Sequence, residues 1–385
     1  MNKMFELTKP QKQIQKAAKS FAKGEFDKEL AQDMDKKHEF PFKIWTKASD
    51  LGFVGIHFAE KHSGGGMGLL ENTLIAEEFC RRDSTIGMAL TNAGFAAECL
   101  VRFADEELQN RFLPPVAEGQ MLSGGAFTEP GKGTDISNLK TSAVRQNNGW
   151  VLNGTKVCLV NGGVAGFYVV LCCTDPDVGA TKGSSMFLVE TDRSGLTIKN
   201  SGDKLGARMI ASAEITFEDV SVPTTHLIGK QGRGYDQTQQ FYTECRLQIA
   251  AQSLGIALGA YDRATEYVKG REQFGKKIAQ FQITRHKFAD MATKIEMARL
   301  LTYKTAWDFN KERKSAHAAA MAKIVSARAA YEVADEAIQL HGGYGYMTEY
   351  DVERFYRDAK IAELFCGNKE TLKDIIGKAA IGKIR

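Results

Sequence analysis

Two of the seven cysteines lie beside charged segments. Cys366 closes the segment Arg357-Asp358-Ala359-Lys360-Ile361-Ala362-Glu363-Leu364-Phe365-Cys366-Gly367, and Cys245 directly precedes Arg246 in a long amphipathic stretch. A thiol accepts a proton only as its thiolate, whose unperturbed pKa is about 8.5, and it reaches less far than a glutamate. Both cysteines read equally as small buried fillers. Glu244 adjoins Cys245, but neighbouring helical residues point about 100° apart, so it does not simply inherit that place. Elsewhere, Thr128-Glu129-Pro130-Gly131-Lys132-Gly133-Thr134-Asp135 is a glycine-containing turn after a small, apolar stretch, with hydroxyls and backbone N–H groups to offer a ligand. Taken alone it is also an ordinary loop. Arg271 suits bidentate contact with a phosphate, or is a solvated helix charge. Gly342, Gly343 and Gly345 let backbone approach a phosphate closely, with Gln339 one helical turn earlier. His341 has no carboxylate near it in sequence and reads as a packing residue.

The elements that must hold these residues follow from periodicity. Residues from about 8 to 120 read as helical, with amphipathic spacing over Gln11–Phe26, Phe42–Leu51 and Leu70–Arg82 and a glycine-rich break at Ser63-Gly64-Gly65-Gly66. Beyond Gly124 the pattern becomes β-rich. Trp150–Val157 reads as strand residues around an Asn153-Gly154 turn, followed by short runs at 167–173, 185–190, 196–198 and 214–220. Long helices return at 235–270, 282–310 and 315–339. The fold class expected is α+β, with an N-terminal helical domain (1–122), a middle β-domain (123–234) and a C-terminal helical bundle (235–385).

A chain of 385 residues buries a substantial core, and a net charge of +4 from dispersed lysines argues against a nucleic-acid groove or a polybasic membrane patch. The polar opening Met1–Gln11 carries no apolar signal core, and the most apolar run, 164–173, is too short to span a bilayer. A cytoplasmic location is expected. The seven cysteines lack metal-type spacing, so reduced thiols and no structural metal are expected.

The motifs together resemble the acyl-CoA dehydrogenase flavoproteins. The Thr128–Asp135 loop, Asn153-Gly154-Thr155-Lys156 with Asn161-Gly162-Gly163, Arg271-Glu272-Gln273-Phe274-Gly275, Gln339-Leu340-His341-Gly342-Gly343-Tyr344-Gly345 and the Arg357–Gly367 segment occur in the family's order over nearly the whole chain. The resemblance implies FAD, an acyl-CoA or acyl-carrier-protein thioester as substrate, electron-transfer flavoprotein as electron acceptor, and assembly as a homotetramer, with a hetero-oligomer as the alternative. It implies flavin contacts from Phe127, Thr128, Gly133, Thr134, Cys158, Val160, Phe365 and Asn368. From a neighbouring subunit it implies Arg271, Gln273, Phe274, Gln339, Leu340 and Gly343. Thr134, Tyr242, Arg246 and Gly367 fall beside the thioester, and Gly87, Met88 and Thr91 at the acyl pocket floor.

Departures from the pattern bear on mechanism. In the family a glutamate that removes the substrate α-proton stands at the position of Cys366, or in some members at that of Cys245; here both are cysteine. Cys158-Leu159-Val160 replaces the family's Trp-x-Thr beside the flavin, and losing one neutral hydrogen bond is worth about 1 kcal/mol. Asn368 and Glu370 replace its Thr and Gln. The leading expectation is an acyl-thioester dehydrogenase with a relocated base, drawn from Glu98, Asp83 and Glu244, acting on an unusual, possibly alicyclic, acyl group. The alternatives are a base-less partner of a heteromeric dehydrogenase and a non-redox acyl-CoA lyase or desulfinase on the same scaffold.

Overall fold

Thr8 opens the first helix with a reciprocal capping pair to Gln11, and Pro10 sits in the first turn, where its missing N–H costs nothing. The structure, a computed structural model, describes residues 6–382. Met1–Phe5 of the polar opening and the last residues of the expected C-terminal domain lie outside the described residues. Seven helices come first: α1 (Lys9–Glu25), α2 (Lys28–Lys37), α3 (Phe42–Asp50), α4 (Leu69–Arg82), α5 (Ser84–Thr91), α6 (Ala97–Phe103) and α7 (Glu106–Ala117). Asp83 joins α4 to α5. One of its oxygens accepts the N–H groups of Thr85 and Ile86 at 3.1 and 2.9 Å, and the other pairs with buried Arg354 at 2.6 Å.

The middle of the chain forms β1 (Ser123–Ala126), β2 (Ser142–Gln146), β3 (Gly149–Val160), β4 (Phe167–Cys173), a short α8 (Ala180–Gly183), β5 (Ser184–Glu190), β6 (Leu196–Asn200), β7 (Ser212–Pro223) and β8 (Leu227–Ile228). They make one eight-stranded sheet in the order β6-β7-β3-β1-β4-β5-β8, with β2 pairing both β3 and β4, so that β3, β1, β4 and β2 close on one another. The structure corrects one expectation: Asn153-Gly154 is not a turn. Strand β3 runs straight through it, with a register shift against β7 between Leu152 and Gly154. Gly154 has φ +143°, and a Cβ there would stand 2.6 Å from Thr141 Cα, so the glycine serves a bulge and close backbone approach. The hairpin turn falls earlier, at Asn147, whose φ is +49°.

The helical layer resumes with α9 (Gly234–Gly270). A small hairpin follows, β9 (Glu272–Gln273) with β10 (Lys276–Lys277), then α10 (Gln282–Phe309), α11 (Ala316–His341), α12 (Val352–Leu364) and α13 (Lys369–Ile381). Helix α9 is buried through nearly every position from Thr243 to Ala260, so small residues govern its packing. A Cβ on Gly255 or Gly259 would come within 2.5 Å of the carbonyls of Glu77 and Arg81, which is how α4 lies directly on α9. Buried Asp358 accepts from Ser84 Oγ (2.6 Å), Thr85 Oγ1 (2.5 Å) and the Ala207 N–H (2.6 Å), fixing α12 to α5 and to the loop between β6 and β7. Arg357 beside it pairs with Asp35 and Glu353. The Arg-Asp pair of the C-terminal motif therefore anchors the segment that ends in Cys366.

Candidate active site

Helix α12 stops at Leu364, and α13 begins when Asn368 Oδ1 accepts the Thr371 N–H at 3.0 Å, leaving Phe365–Gly367 as a tight turn. Cys366 has φ +52°, a backbone region that favours glycine. Cations hold the turn. Arg246 Nε donates to the Cys366 carbonyl at 3.1 Å, and the buried Lys323 ammonium donates to the carbonyls of Phe365 and Gly367. Burial pushes the Lys323 pKa down to about 8, against the opposing pull of the nearby thiols. Cys245, on α9, reaches the same turn, and its Sγ lies 2.7 Å from Cys366 Sγ. Burial, with the Cys366 contact adding to it, pushes the Cys245 thiol well up and keeps it protonated.

Next to Cys245 is a cavity of about 70 Å³ between α5, α6 and α9, lined by His57, Thr91, Phe95, Glu98, Phe241 and Glu244 among others. An aromatic cluster forms one wall: Phe95 against Phe241 (5.3 Å) and Phe365 (5.4 Å), and Phe127 stacked on Phe241 (5.4 Å) and edge-on to Tyr242 (5.7 Å). Thr91 Oγ1 faces Gln252 Nε2 at 2.9 Å and donates to the Gly87 carbonyl. Gly87 itself turns away from the cavity. A Cβ there would stand 2.5 Å from Cys80 N, so it is a packing glycine against α4, and Met88 is buried in the core around α9.

Three carboxylates were candidates for a relocated base, and packing separates them. Asp83 is committed to a helix cap and to Arg354, outside the cavity lining. Glu244 lines the cavity but is ion-paired with Arg102. Glu98 lines it too, with Oε1 2.7 Å from His57 Nε2, while its Oε2 and His57 Nδ1 are buried without a hydrogen-bond partner among the described residues. A second polar cleft shares His57, Glu98 and Glu244 and opens outward past Gly68 and Glu312. Sequence reasoning missed His57, Phe95, Phe241 and Lys323. Only Lys323 left a signal: a lysine on an otherwise Ala- and Ser-rich face of α11.

The Thr128–Asp135 loop is held from beneath by a buried ion pair. Glu129 accepts the N–H groups of Lys140 (2.7 Å) and Thr141 (2.9 Å) and meets Lys156 Nζ at 3.0 Å. Burial pushes the Glu129 carboxyl up, but Lys156 and the N–H donors outweigh it and bring it down to about 2. Thr128 accepts the Val157 N–H through its carbonyl, and Gly133 and Thr134 are exposed. Cys158 is exposed at φ +57°, in the second register shift of β3, two residues from Val160.

Arg271, Gln273, Gln339, Leu340 and Gly343 come together elsewhere, around an open cleft of about 600 Å³. Arg271 has no carboxylate partner among the described residues, its guanidinium lies 5.7 Å over Tyr344, and a Cβ on Gly343 would meet nothing within 4 Å. Phe274 is 93% exposed. An unpaired cation beside open glycine backbone fits one end of a dinucleotide's phosphates. None of Thr128, Gly133, Thr134, Cys158 or Val160 lines this cleft, so one chain carries the two halves of the implied FAD site apart.

Comparison with known proteins accords with this geometry. The acyl-CoA dehydrogenase N-terminal, middle and C-terminal domain families match residues 8–120, 124–220 and 232–381. The short-chain specific acyl-CoA dehydrogenase of Clostridium acetobutylicum is 37% identical over 97% of this chain and 98% of its own. Butyryl-CoA dehydrogenase from Megasphaera elsdenii superposes with a TM-score of 0.94 at 34% identity, covering 98% of this chain and 100% of that one. A chain from the structure of the electron transferring flavoprotein of Acidaminococcus fermentans does so with a TM-score of 0.95 at 37% identity, covering 98% and 100%. Matched in all three domains and along almost its full length, the protein belongs to the acyl-CoA dehydrogenase family of oxidoreductases.

Proposed function

We propose that the protein is an FAD-dependent dehydrogenase of a small, neutral acyl thioester in which Glu98, paired with His57, replaces the missing base. The observation that carries this reading is the buried, unpartnered Oε2 of Glu98 in the cavity beside Cys245. The family is FAD-dependent, and FAD when bound supplies the two-electron acceptor. The chain's own residues do the rest. The Thr128–Thr134 loop, fixed by Glu129 and Lys156, presents hydroxyl and N–H groups to the cofactor and thioester. Arg246 and Lys323 hold the 365–367 turn against the thioester side. The α-proton passes to Glu98 Oε2, while Oε1 stays on His57 Nε2, which orients the carboxylate and shares its charge. Glu244 is a poorer acceptor because its carboxylate is already ion-paired with Arg102.

The small cavity supports a short acyl chain, and the carboxylates of Glu98 and Glu244 disfavour a second carboxylate on the substrate. The separated halves of the FAD site support a homo-oligomer, a tetramer by family likeness, in which Arg271 and Gly343 serve a neighbour's cofactor. The likeness to a chain in an electron transferring flavoprotein structure supports such a flavoprotein as electron acceptor. Anaerobic mixing of the purified protein with a panel of acyl-CoAs and acyl-carrier-protein thioesters tests the reading. A short neutral thioester is expected to bleach the flavin. Binding across the panel without bleaching refutes it.

A further inference from the structure

The Cys245–Cys366 contact does more than fill space. Residues 121 apart in sequence bring two free thiols to a Sγ–Sγ separation of 2.7 Å, within an ångström of the roughly 2.05 Å of a formed bond. Neither partner is free to drift. Cys245 is fixed on the buried middle of α9, and the turn carrying Cys366 is tied by the carbonyl contacts of Arg246 and Lys323. Those two cations oppose the burial that raises the Cys245 thiol without overcoming it, so Cys245 stays protonated in the resting pair. Cys245 lines the cavity, whose volume of about 70 Å³ admits a molecule of a few heavy atoms and excludes a peptide or protein disulfide.

We propose that Cys245 and Cys366 form an oxidant-reactive dithiol, converted by a small hydroperoxide into a reversible disulfide at the cavity wall. The Cys366 sulfur attacks the peroxide oxygen as its thiol proton is given up. The O–O bond breaks, giving a sulfenic acid and an alkoxide that takes up a proton to leave as the alcohol. The second thiol's sulfur then displaces the sulfenic hydroxyl, which departs as water with that thiol's proton. Two thiols are oxidised by two electrons and the hydroperoxide is reduced to alcohol and water; with hydrogen peroxide both products are water. A dithiol reductant returns the pair to thiols by exchange. The bond joins α9 to the α12–α13 turn across the face where the family carries its base. That this face meets the thioester rests on the function proposed above; the thiol chemistry does not.

The test uses the purified holoprotein and hydrogen peroxide. After brief exposure, remaining thiols are alkylated in denaturant and the peptides are mapped by mass spectrometry. The expected result is a cross-link between the peptides of Cys245 and Cys366, lighter by two hydrogens, that forms ahead of oxidation at exposed Cys158 and disappears with a dithiol reductant. Cys245→Ser and Cys366→Ser are expected to abolish the cross-link, leaving a sulfenic acid on the remaining cysteine that a cyclic 1,3-dione traps. The proposal is overturned if both cysteines are still fully alkylated when Cys158 has been consumed, or if the cross-link appears only after unfolding. The wild-type map decides this even where a variant fails to fold. A bound short acyl-CoA is expected to slow the cross-link; formation at an unchanged rate with acyl-CoA bound overturns the location in the thioester cavity while the dithiol stands.

Discussion

Glu98→Gln is the sharpest test of the relocated base. Glutamine keeps the size and the Oε1 acceptor of the glutamate, so the 2.7 Å contact to His57 Nε2 survives and the cavity keeps its shape. What is lost is the buried Oε2 as a proton acceptor. Positioned general-base catalysis is typically worth about 10²–10⁴-fold, a barrier of roughly 2.7–5.5 kcal/mol. Flavin reduction by a short neutral acyl thioester is expected to slow by that factor, measured by anaerobic stopped-flow, with substrate affinity changed less than about threefold because the interaction lost belongs to the transition state. Exchange of the substrate α-proton into deuterated water is expected to fall in parallel, which a defect confined to electron transfer does not produce. Unchanged reduction and exchange in Glu98→Gln, with both abolished in Glu244→Gln, refutes the assignment and moves the base to α9. Retention of both rates in both variants refutes a carboxylate base in this cavity.

Restoring the family's arrangement needs two substitutions: Cys366→Glu alone meets the Cys245 sulfur, whereas Cys245→Ala with Cys366→Glu makes room and is expected to raise dehydrogenation of straight-chain acyl-CoAs by at least about tenfold in the same assay. Arg271→Ala removes a charge-assisted phosphate contact worth about 1.5–3 kcal/mol, so FAD occupancy of the purified protein is expected to fall by about tenfold or more at limiting FAD, read from the flavin-to-protein absorbance ratio. Because Glu129 is held at about 2, below its ordinary 4.5, its contribution to stability is whole above about pH 4.5 and lost as the pH falls towards 2; the stability gap between wild type and Glu129→Gln in denaturant titrations is expected to narrow over that window. Glutaryl-CoA is expected to bind more weakly than a neutral acyl-CoA of similar length, because Glu98 and Glu244 face the cavity and, among the described residues, no lysine or arginine lines it; isothermal titration compares the two.

Local sequence carried what depends on local geometry. Helical periodicity placed α4, α9, α10 and α11 to within a few residues, because a 3.6-residue repeat of buried positions shows without knowing the partner. The glycine-rich segments proposed to meet the cofactor stand out in the sequence because a backbone that must approach a phosphate leaves no room for a Cβ. The limit shows at Asn153-Gly154. That pair reads as a turn, yet β7 on one side and Thr141 on the other hold β3 straight and spend the glycine on a bulge. Gly87, placed by family likeness at the pocket floor, instead packs on α4, since which face of α5 meets the cavity depends on the helix it lies against.

The sequence by itself determined the family, the order of elements, the segments that can meet a dinucleotide and the loss of a glutamate from both usual base positions. Only the tertiary structure separated the three carboxylates proposed for that role. Asp83, Glu98 and Glu244 are alike as letters, and they part when Asp83 is taken by a helix cap and Arg354, Glu244 by Arg102, and Glu98 is left with one buried oxygen free beside His57, 41 residues away. Cys245 and Cys366 likewise become a pair only when α9 and the α12–α13 turn meet. The reason is physical: the chemistry of an ionisable side chain is set by the charges, donors and solvent within a few ångströms, and in a folded chain most of those neighbours come from distant sequence.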